Sequence, residues 1–191
     1  MNIEQIRQKF LDGIKLFDKI AIEQNIEIWK NVKGYKNYCV SNLGRVNNIA
    51  TGKILKPWID STGYYRIDLT KIDKRYKFLV SRLVALAFLE NPLNKKNVDH
   101  KNNVRLNNNV NNLRWVSPKE NNQNKSMSKN NSSGYKGVSW DKKNKKWNAY
   151  IALENGIRKN LGYFKNIEDA KDARQKKAKE IHGEFLNDCE K

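Results

Sequence analysis

Asp99 and His100 stand side by side in VDHKNNVRLNNNVNNLRWVSPKENNQN, and Asn121 follows about twenty residues later in the same stretch. An imidazole with an ordinary pKa of about 6.5 is available as a neutral base at neutral pH. Carboxylate and amide oxygens are hard donors that suit Mg²⁺ or Mn²⁺ and disfavour zinc. A base to activate water and a cation to stabilise developing charge are what phosphodiester hydrolysis requires. The bland alternative for Asp99 and His100 is a polar strand end, and for the asparagines the codon bias of an A/T-rich genome.

For these groups to meet, the chain must make a strand, a loop, a second strand and a helix. Residues 91–131 hold 15 Asn and little core material beyond Val98, Leu106, Val110, Leu113, Trp115 and Val116, so much of this backbone is expected to loop. In SPKENNQN, Ser117 is a good N-cap, Pro118 suits the first helical position and Glu120 completes a capping box. A short helix should begin there, with Asn121 in its first turns. Upstream, KFLVSRLVALAFLENP reads as a strand running into a helix stopped by Asn91 and Pro92, with Leu83, Leu86 and Ala87 facing a core.

Further out, Ile3, Ile6, Phe10, Ile14, Phe17 and Ala21 recur every three or four residues, predicting an amphipathic helix over 3–23 with Gly13 as its weak point. Its apolar face is expected to pack on a neighbouring module or a second chain. Residues 27–69 carry short β-like runs punctuated by Gly34, Gly44, Gly52 and Gly63. The segment 125–133 reads as a linker. Beyond it, YKGVSW, WNAYIAL and RKNLGYF predict three strands, the last two joined at Glu154-Asn155-Gly156, before a helix from about Ile167 to His182 that Asn166 caps and Gly183 ends. In the middle strand Trp147, Ala149, Ile151 and Leu153 share one face, leaving Asn148, Tyr150 and Ala152 outward.

The 191 residues carry 38 Lys and Arg against 20 Asp and Glu, a net charge of +18. Residues 1–26 are neutral, with four basic and four acidic groups, whereas residues 27–131 hold 20 basic and seven acidic. Such an excess implies a polyanion partner. Cys39 and Cys189 match no zinc spacing, and no apolar run approaches a membrane span, so an intracellular setting is expected, bacterial cytoplasm or a eukaryotic or viral host's nucleus or cytoplasm. His182, near a helix C-terminus, reads as a dipole-compatible surface residue.

Residues 78–124, with Asp99, His100, Asn112 and Asn121 in register, resemble the HNH endonuclease family in the form whose third position is Asn. That resemblance implies a ββα-metal fold with one divalent cation. It makes His100 the general base and Asp99 with Asn121 the metal ligands. Asn112 becomes the central Asn whose side chain bonds backbone and holds the His-bearing loop, while Asn108 fixes a turn. The family usually follows its His with Asp-Gly-Asn. Here Lys101-Asn102-Asn103-Val104 stands instead, with Asn103 expected to supply the left-handed turn.

Residues 27–69 resemble the NUMOD4 module on Glu27, Trp29, Gly34, Tyr35, Tyr38, Val40, Ser41, Gly44, Arg45 and Val46. Trp29, Tyr38 and Val40 are expected in the core, and Arg45, Lys53, Lys56 and Arg66 on phosphate. Residues 133–187 resemble the AP2 DNA-binding domain through GYKGVSW, KKWNAYI, NLGYF, the helix and Leu186-Asn187. Carried over by position, its DNA contacts fall on Lys136, Ser139, Tyr150, Ala152, Arg158 and Asn160. Lys142, Lys143, Lys145 and Lys146 are added as phosphate contacts.

The sequence therefore predicts a modular α+β chain. Its parts are an N-terminal helix (1–26), a small β-rich NUMOD4-like module (27–76), a ββα-metal HNH core (77–124), a linker (125–132), and a three-stranded antiparallel sheet with a helix (133–187). The function expected is site-selective, homing-type cleavage of double-stranded DNA with Mg²⁺ or Mn²⁺. A single HNH site implies a monomer that nicks, with a dimer through the first helix left open. The alternatives are a DNA-binding regulator that has lost cleavage and, last, an RNA-binding protein.

Overall fold

A computed structural model of the chain describes residues 2–123, 131–153 and 157–182. The expected turn at 154–156, the end of the C-terminal helix, Leu186-Asn187 and Cys189 lie outside the described residues, as do the side chain of His182 and most of the linker. The fold is α+β and divides into two compact units. One comprises the residues up to His100 with Val104–Trp115, the other Lys101–Asn103 with the residues from Val116 onward.

The first unit opens with α1, Ile3–Glu23, whose Asn2 cap and Gln5 close a capping box. Gly13 does not interrupt it. Of the expected apolar face only Ala21 is buried; Ile3, Ile6, Phe10, Ile14 and Phe17 are exposed. Short strands follow: β1 (Trp29–Asn31), β2 (Tyr38–Ser41), β3 (Val46–Asn48) and β4 (Lys53–Ile54) form one antiparallel sheet in sequence order. A second sheet is made of β5 (Trp58–Ile59), β6 (Tyr65–Lys71) and β7 (Lys74–Leu79). β7 runs directly into α2, Val80–Phe88, as the sequence suggested. β8 (Asn97–His100) then pairs with β9 (Leu113–Val116).

One core holds these pieces together. Tyr38, Val40 and Val46 from the first sheet, Ile67 and Leu69 from the second, Val80, Leu83 and Val84 from α2, and Val110 and Leu113 before and on β9 form a single buried cluster. Three residues expected in a core are exposed, Leu86, Trp29 and Leu106, the last at 39% in the loop between the strands. Leu86 points outward from α2, where the buried side is completed by Val84 and Ala85. Trp29 is 36% exposed because it lies on the outer face of an edge strand, its ring covered by the Arg45 guanidinium at 5.5 Å. Tyr38 and Val40 are buried as expected.

In the second unit, α3 spans Pro118–Gln123. Its capping box is present: Ser117 N donates to Glu120 Oε2 at 2.6 Å and Glu120 N to Ser117 Oγ at 3.3 Å. β10 (Val138–Asp141), β11 (Lys146–Ala152) and β12 (Arg158–Phe164) form an antiparallel sheet in sequence order, followed by α4, Ile167–His182. Val138, Ala149 and Ala170 make one small core and Ile151 with Ala178 another, so α4 covers the face that alternation assigned to it. Leu153, beyond the end of β11, is 37% exposed.

Candidate nuclease site

Asp99 and His100 are the last two residues of β8, and both are buried. Burying a carboxylate requires a partner. Arg114, on β9, supplies it: its Nε and one terminal nitrogen both donate to Asp99 Oδ2, at 3.0 and 2.9 Å. Nothing in the sequence assigned Arg114 this role, although a basic residue on the strand expected to pair with the Asp-bearing one was a visible signal.

His100 Nε2 lies 3.1 Å from Asn108 Oδ1. Asn108 is itself buried, and its Nδ2 donates to the Leu106 carbonyl at 3.4 Å. It thus holds its turn, as expected, and also reaches the imidazole, which the residue pattern alone does not reveal. With the amide nitrogen turned to Leu106, the amide oxygen faces the ring, an arrangement suited to a proton on Nε2. Burial is the largest influence on this imidazole and pulls its pKa below the usual value. Arg105 acts in the same direction, and the Asn108 hydrogen bond and the Asp99 charge oppose them. Neutral His100 is the favoured form at neutral pH.

The ring is also packed. Tyr64 sits 5.7 Å from it, centroid to centroid, and Arg105 lies over Tyr64 at 5.1 Å while donating to the Thr62 carbonyl at 2.6 Å. Gly44 approaches from the first sheet: with φ at +87°, a Cβ there would fall 2.8 Å from the Cβ of Asn108.

Asn112 closes the loop between the strands. It is buried in a single 3-10 turn, Val110–Asn112, and its Nδ2 donates to the Asn107 carbonyl at 2.8 Å, beside Asn108. Asn103 adopts φ +58°, the left-handed conformation expected of it. Asn121 belongs to the second unit, in the first turn of α3, with its N–H bonded to Ser117 O at 3.0 Å. Among the described residues no three His, Cys, Asp or Glu side chains converge on one point. A cation held here would draw on one carboxylate and neutral oxygens, a donor set that fits Mg²⁺ or Mn²⁺.

Residues 27–70 match the NUMOD4 motif, and residues 79–123 match the HNH endonuclease family. The DNA endonuclease I-HmuI of Bacillus phage SP01 is 47% identical over 97 residues, 50% of this chain and 56% of that protein. An uncharacterized HNH endonuclease, L247 of Acanthamoeba polyphaga mimivirus, is 42% identical over 106 residues, 52% of this chain and 26% of that protein. A solved structure of DNA binding and cleavage by the HNH homing endonuclease I-HmuI shares 34% identity and a TM-score of 0.50, covering 82% of this chain and 91% of that one. The chain belongs to the HNH homing endonuclease family. Its matches span about half or less of the length of these two curated relatives.

The residues that this HNH homing endonuclease family member was expected to turn toward phosphate are differently engaged. Arg45 is ion-paired with Glu27 and Arg66 with Asp60 at 2.6 Å, whereas Lys53 and Lys56 are exposed. In the second unit, strand registry places Ser139 opposite Asn148, Tyr150 opposite Asn160 and Ala152 opposite Arg158. These six residues share the sheet face away from α4. Asn148 donates to Asn160 Oδ1 at 2.9 Å, and Arg158 lies over Tyr150 at 4.9 Å. Lys142 and Lys143 are exposed in the turn between β10 and β11, and Lys136, before β10, is half-buried. Among the described residues no helix is long and apolar enough to cross a membrane.

Proposed function

We propose that this chain is a homing-type endonuclease that hydrolyses a phosphodiester of double-stranded DNA, with His100 as general base. The observation that supports the reading is the His100–Asn108 pair, 3.1 Å from Nε2 to Oδ1, at a buried imidazole whose pKa burial lowers. Nδ1 takes the proton from the attacking water, and the Asn108 oxygen stabilises the resulting imidazolium through Nε2–H. Asn112 holds the 107–108 backbone that presents Asn108.

HNH nucleases generally use a divalent metal ion; when bound, it supplies positive charge against the scissile phosphate and the leaving oxygen. Asp99 and Asn121 are the residues that would hold it. Arg114 fixes the Asp99 carboxylate so that one face is committed before any cation arrives.

For DNA, we assign the outward face of the C-terminal sheet, with Ser139, Tyr150, Arg158 and Asn160, flanked by Lys136, Lys142 and Lys143, in keeping with the AP2-like reading. Lys53 and Lys56 add phosphate contacts from the first unit, joined by Arg45 and Arg66 if their ion pairs exchange for phosphate. The left-handed Asn103 favours cleavage over the regulator alternative, because the departure from Asp-Gly-Asn still makes the turn.

The test is plasmid DNA bearing sequence from the source genome, incubated with Mg²⁺, with Mn²⁺, with EDTA, and with the His100→Ala variant. Nicking that needs the cation and is lost in the variant is expected. Equal nicking by His100→Ala would remove the base assignment, and DNA binding without any nicking would favour the regulator.

A further inference from the structure

The first helix is attached to its unit by the wrong side for an ordinary amphipathic helix. Lys15 pairs with Glu90 at 3.0 Å, Asp18 with Lys30 at 2.5 Å, the Ile22 carbonyl accepts from Asn111 at 3.2 Å, and the Ile22 side chain packs on the core. Lys19 and Glu23 line the same groove. At about 100° per residue, positions 15, 18, 19 and 22 centre on a direction some 130° from that of Ile3, Ile6, Phe10, Ile14 and Phe17. The apolar stripe therefore looks away from the unit, with Ile3 84%, Phe10 69% and Phe17 63% exposed. A helix is normally stabilised by tertiary packing of its apolar face, and of this face only Ala21, at its C-terminal end, is covered within its unit.

The spacing of the stripe says what covers it. The steps from Ile3 through Ile6, Phe10 and Ile14 to Phe17 are three, four, four and three, a sequence that reads the same in both directions. Under a two-fold axis at Phe10, an antiparallel copy sets Ile3 against Phe17, Ile6 against Ile14 and Phe10 against its own equivalent. Self-complementarity of this kind is the requirement of an isologous interface. The charged residue nearest the stripe is Arg7, at its edge one heptad before Ile14, and the two-fold sets it opposite Gly13 rather than a second Arg7. Charge points the same way: residues 1–26 are neutral in a chain of +18, so two copies can meet along this helix without adding local repulsion, and it carries no excess of basic charge for a polyanion. Five large apolar side chains from each copy, each holding on the order of 100 Å², reach the roughly 1,000 Å² that a specific interface needs.

We infer that α1 is a homodimerisation helix, pairing two copies antiparallel about Phe10. The consequence reaches beyond the nuclease reading and does not depend on it: a two-fold pair carries two HNH segments and two C-terminal sheets.

Light scattering of the full chain across a concentration series should report twice the chain mass, and raising NaCl should strengthen the pair, because screening relieves repulsion between basic protomers. Phe10→Asp and Phe10→Lys should each be monomeric with unchanged far-UV circular dichroism, and an equimolar mixture should restore the dimer. A chain with Ile3→Cys mixed with one with Phe17→Cys should cross-link on oxidation, where Ile3→Cys alone should not. A wild-type chain that stays monomeric at high concentration, or a dimer indifferent to Phe10→Asp, would overturn the inference. A monomer that instead sediments with phosphatidylcholine vesicles would assign the stripe to a lipid surface. Dimers that cross-link through Ile3→Cys alone would overturn the antiparallel register.

Discussion

Asn108 Oδ1 stands 3.1 Å from His100 Nε2 while the same side chain's Nδ2 reaches the Leu106 carbonyl at 3.4 Å. One amide thereby bonds its own turn and the ring beside it. Replacing Asn108 by Ala should lower kcat for nicking by about tenfold to a hundredfold, the range for losing a group that orients another. KM for DNA should change little. Single-turnover rates with gel-shift affinities separate the two.

Arg114 is the partner of a buried carboxylate. Its side chain is 14% exposed and that of Asp99 9%, so solvent does little to soften its loss. Arg114→Met should destabilise the fold by about 3–5 kcal/mol, and Arg114→Lys should rescue it only in part, because an ammonium cannot direct two N–H groups at Oδ2 in the same geometry. Urea melts of the three proteins test this.

Gly44 has two reasons to be glycine: a φ of +87° and the 2.8 Å approach to Asn108 that a Cβ would force. Gly44→Ala should cost on the order of 1–3 kcal/mol and should slow nicking beyond what the lost folded fraction explains, since the displaced neighbour is the partner of His100. Comparing thermal melts with rates normalised to folded protein distinguishes the two losses.

Asp60 accepts from Thr62 N, Thr62 Oγ1, Tyr64 N and Arg66 Nε across the β5–β6 turn. The Thr62 hydroxyl first, then Arg66, hold its carboxyl well below the usual range. A depressed carboxyl pKa stabilises the fold at pH values above the ordinary value near 3.9, and that stabilisation fades as pH falls toward the lowered one. Asp60→Asn should therefore melt earlier than wild type at pH 7, with the gap closing in strong acid. A gap that widened in acid would contradict the assignment.

The lysines of the β10–β11 turn should act as charge. Lys142→Ala with Lys143→Ala should reduce the slope of log K against log salt by about 0.9 for each phosphate left without its lysine, with no change in which sequence is preferred. Tyr150→Ala and Arg158→Ala, on the sheet face, should alter sequence preference as well. Binding titrations at several salt concentrations, on cognate and scrambled duplexes, provide the comparison.

Much of this was legible in the residues, for reasons that differ by element. Ser117, Pro118 and Glu120 announce α3 because a capping box is local chemistry, and the alternation in β11 announces its buried face because a sheet has only two. Asn103 could be assigned its left-handed turn because few other residues tolerate one. The burial expected of Trp29 and Leu86 fails because hydrophobicity says that a side chain prefers cover, and only tertiary packing says whether cover exists. The Asp99–Arg114 and His100–Asn108 pairs depend on how a loop rich in asparagine closes, and fifteen near-identical residues in 41 positions give no local signal of which one meets the imidazole.

The single core of the first unit draws Val40 and Leu69 from the NUMOD4 match and Val84 and Leu113 from the HNH match, and β6, which ends the former, is hydrogen-bonded to β7, which leads into the latter. The two segments are named separately, yet neither could travel between genes without the other and still bury its own apolar side chains. Recombination among relatives should therefore leave surviving crossovers outside residues 27–116 far more often than at the seam near residue 77, and chimeras engineered at that seam should be insoluble where the parents differ in the size of the shared core side chains.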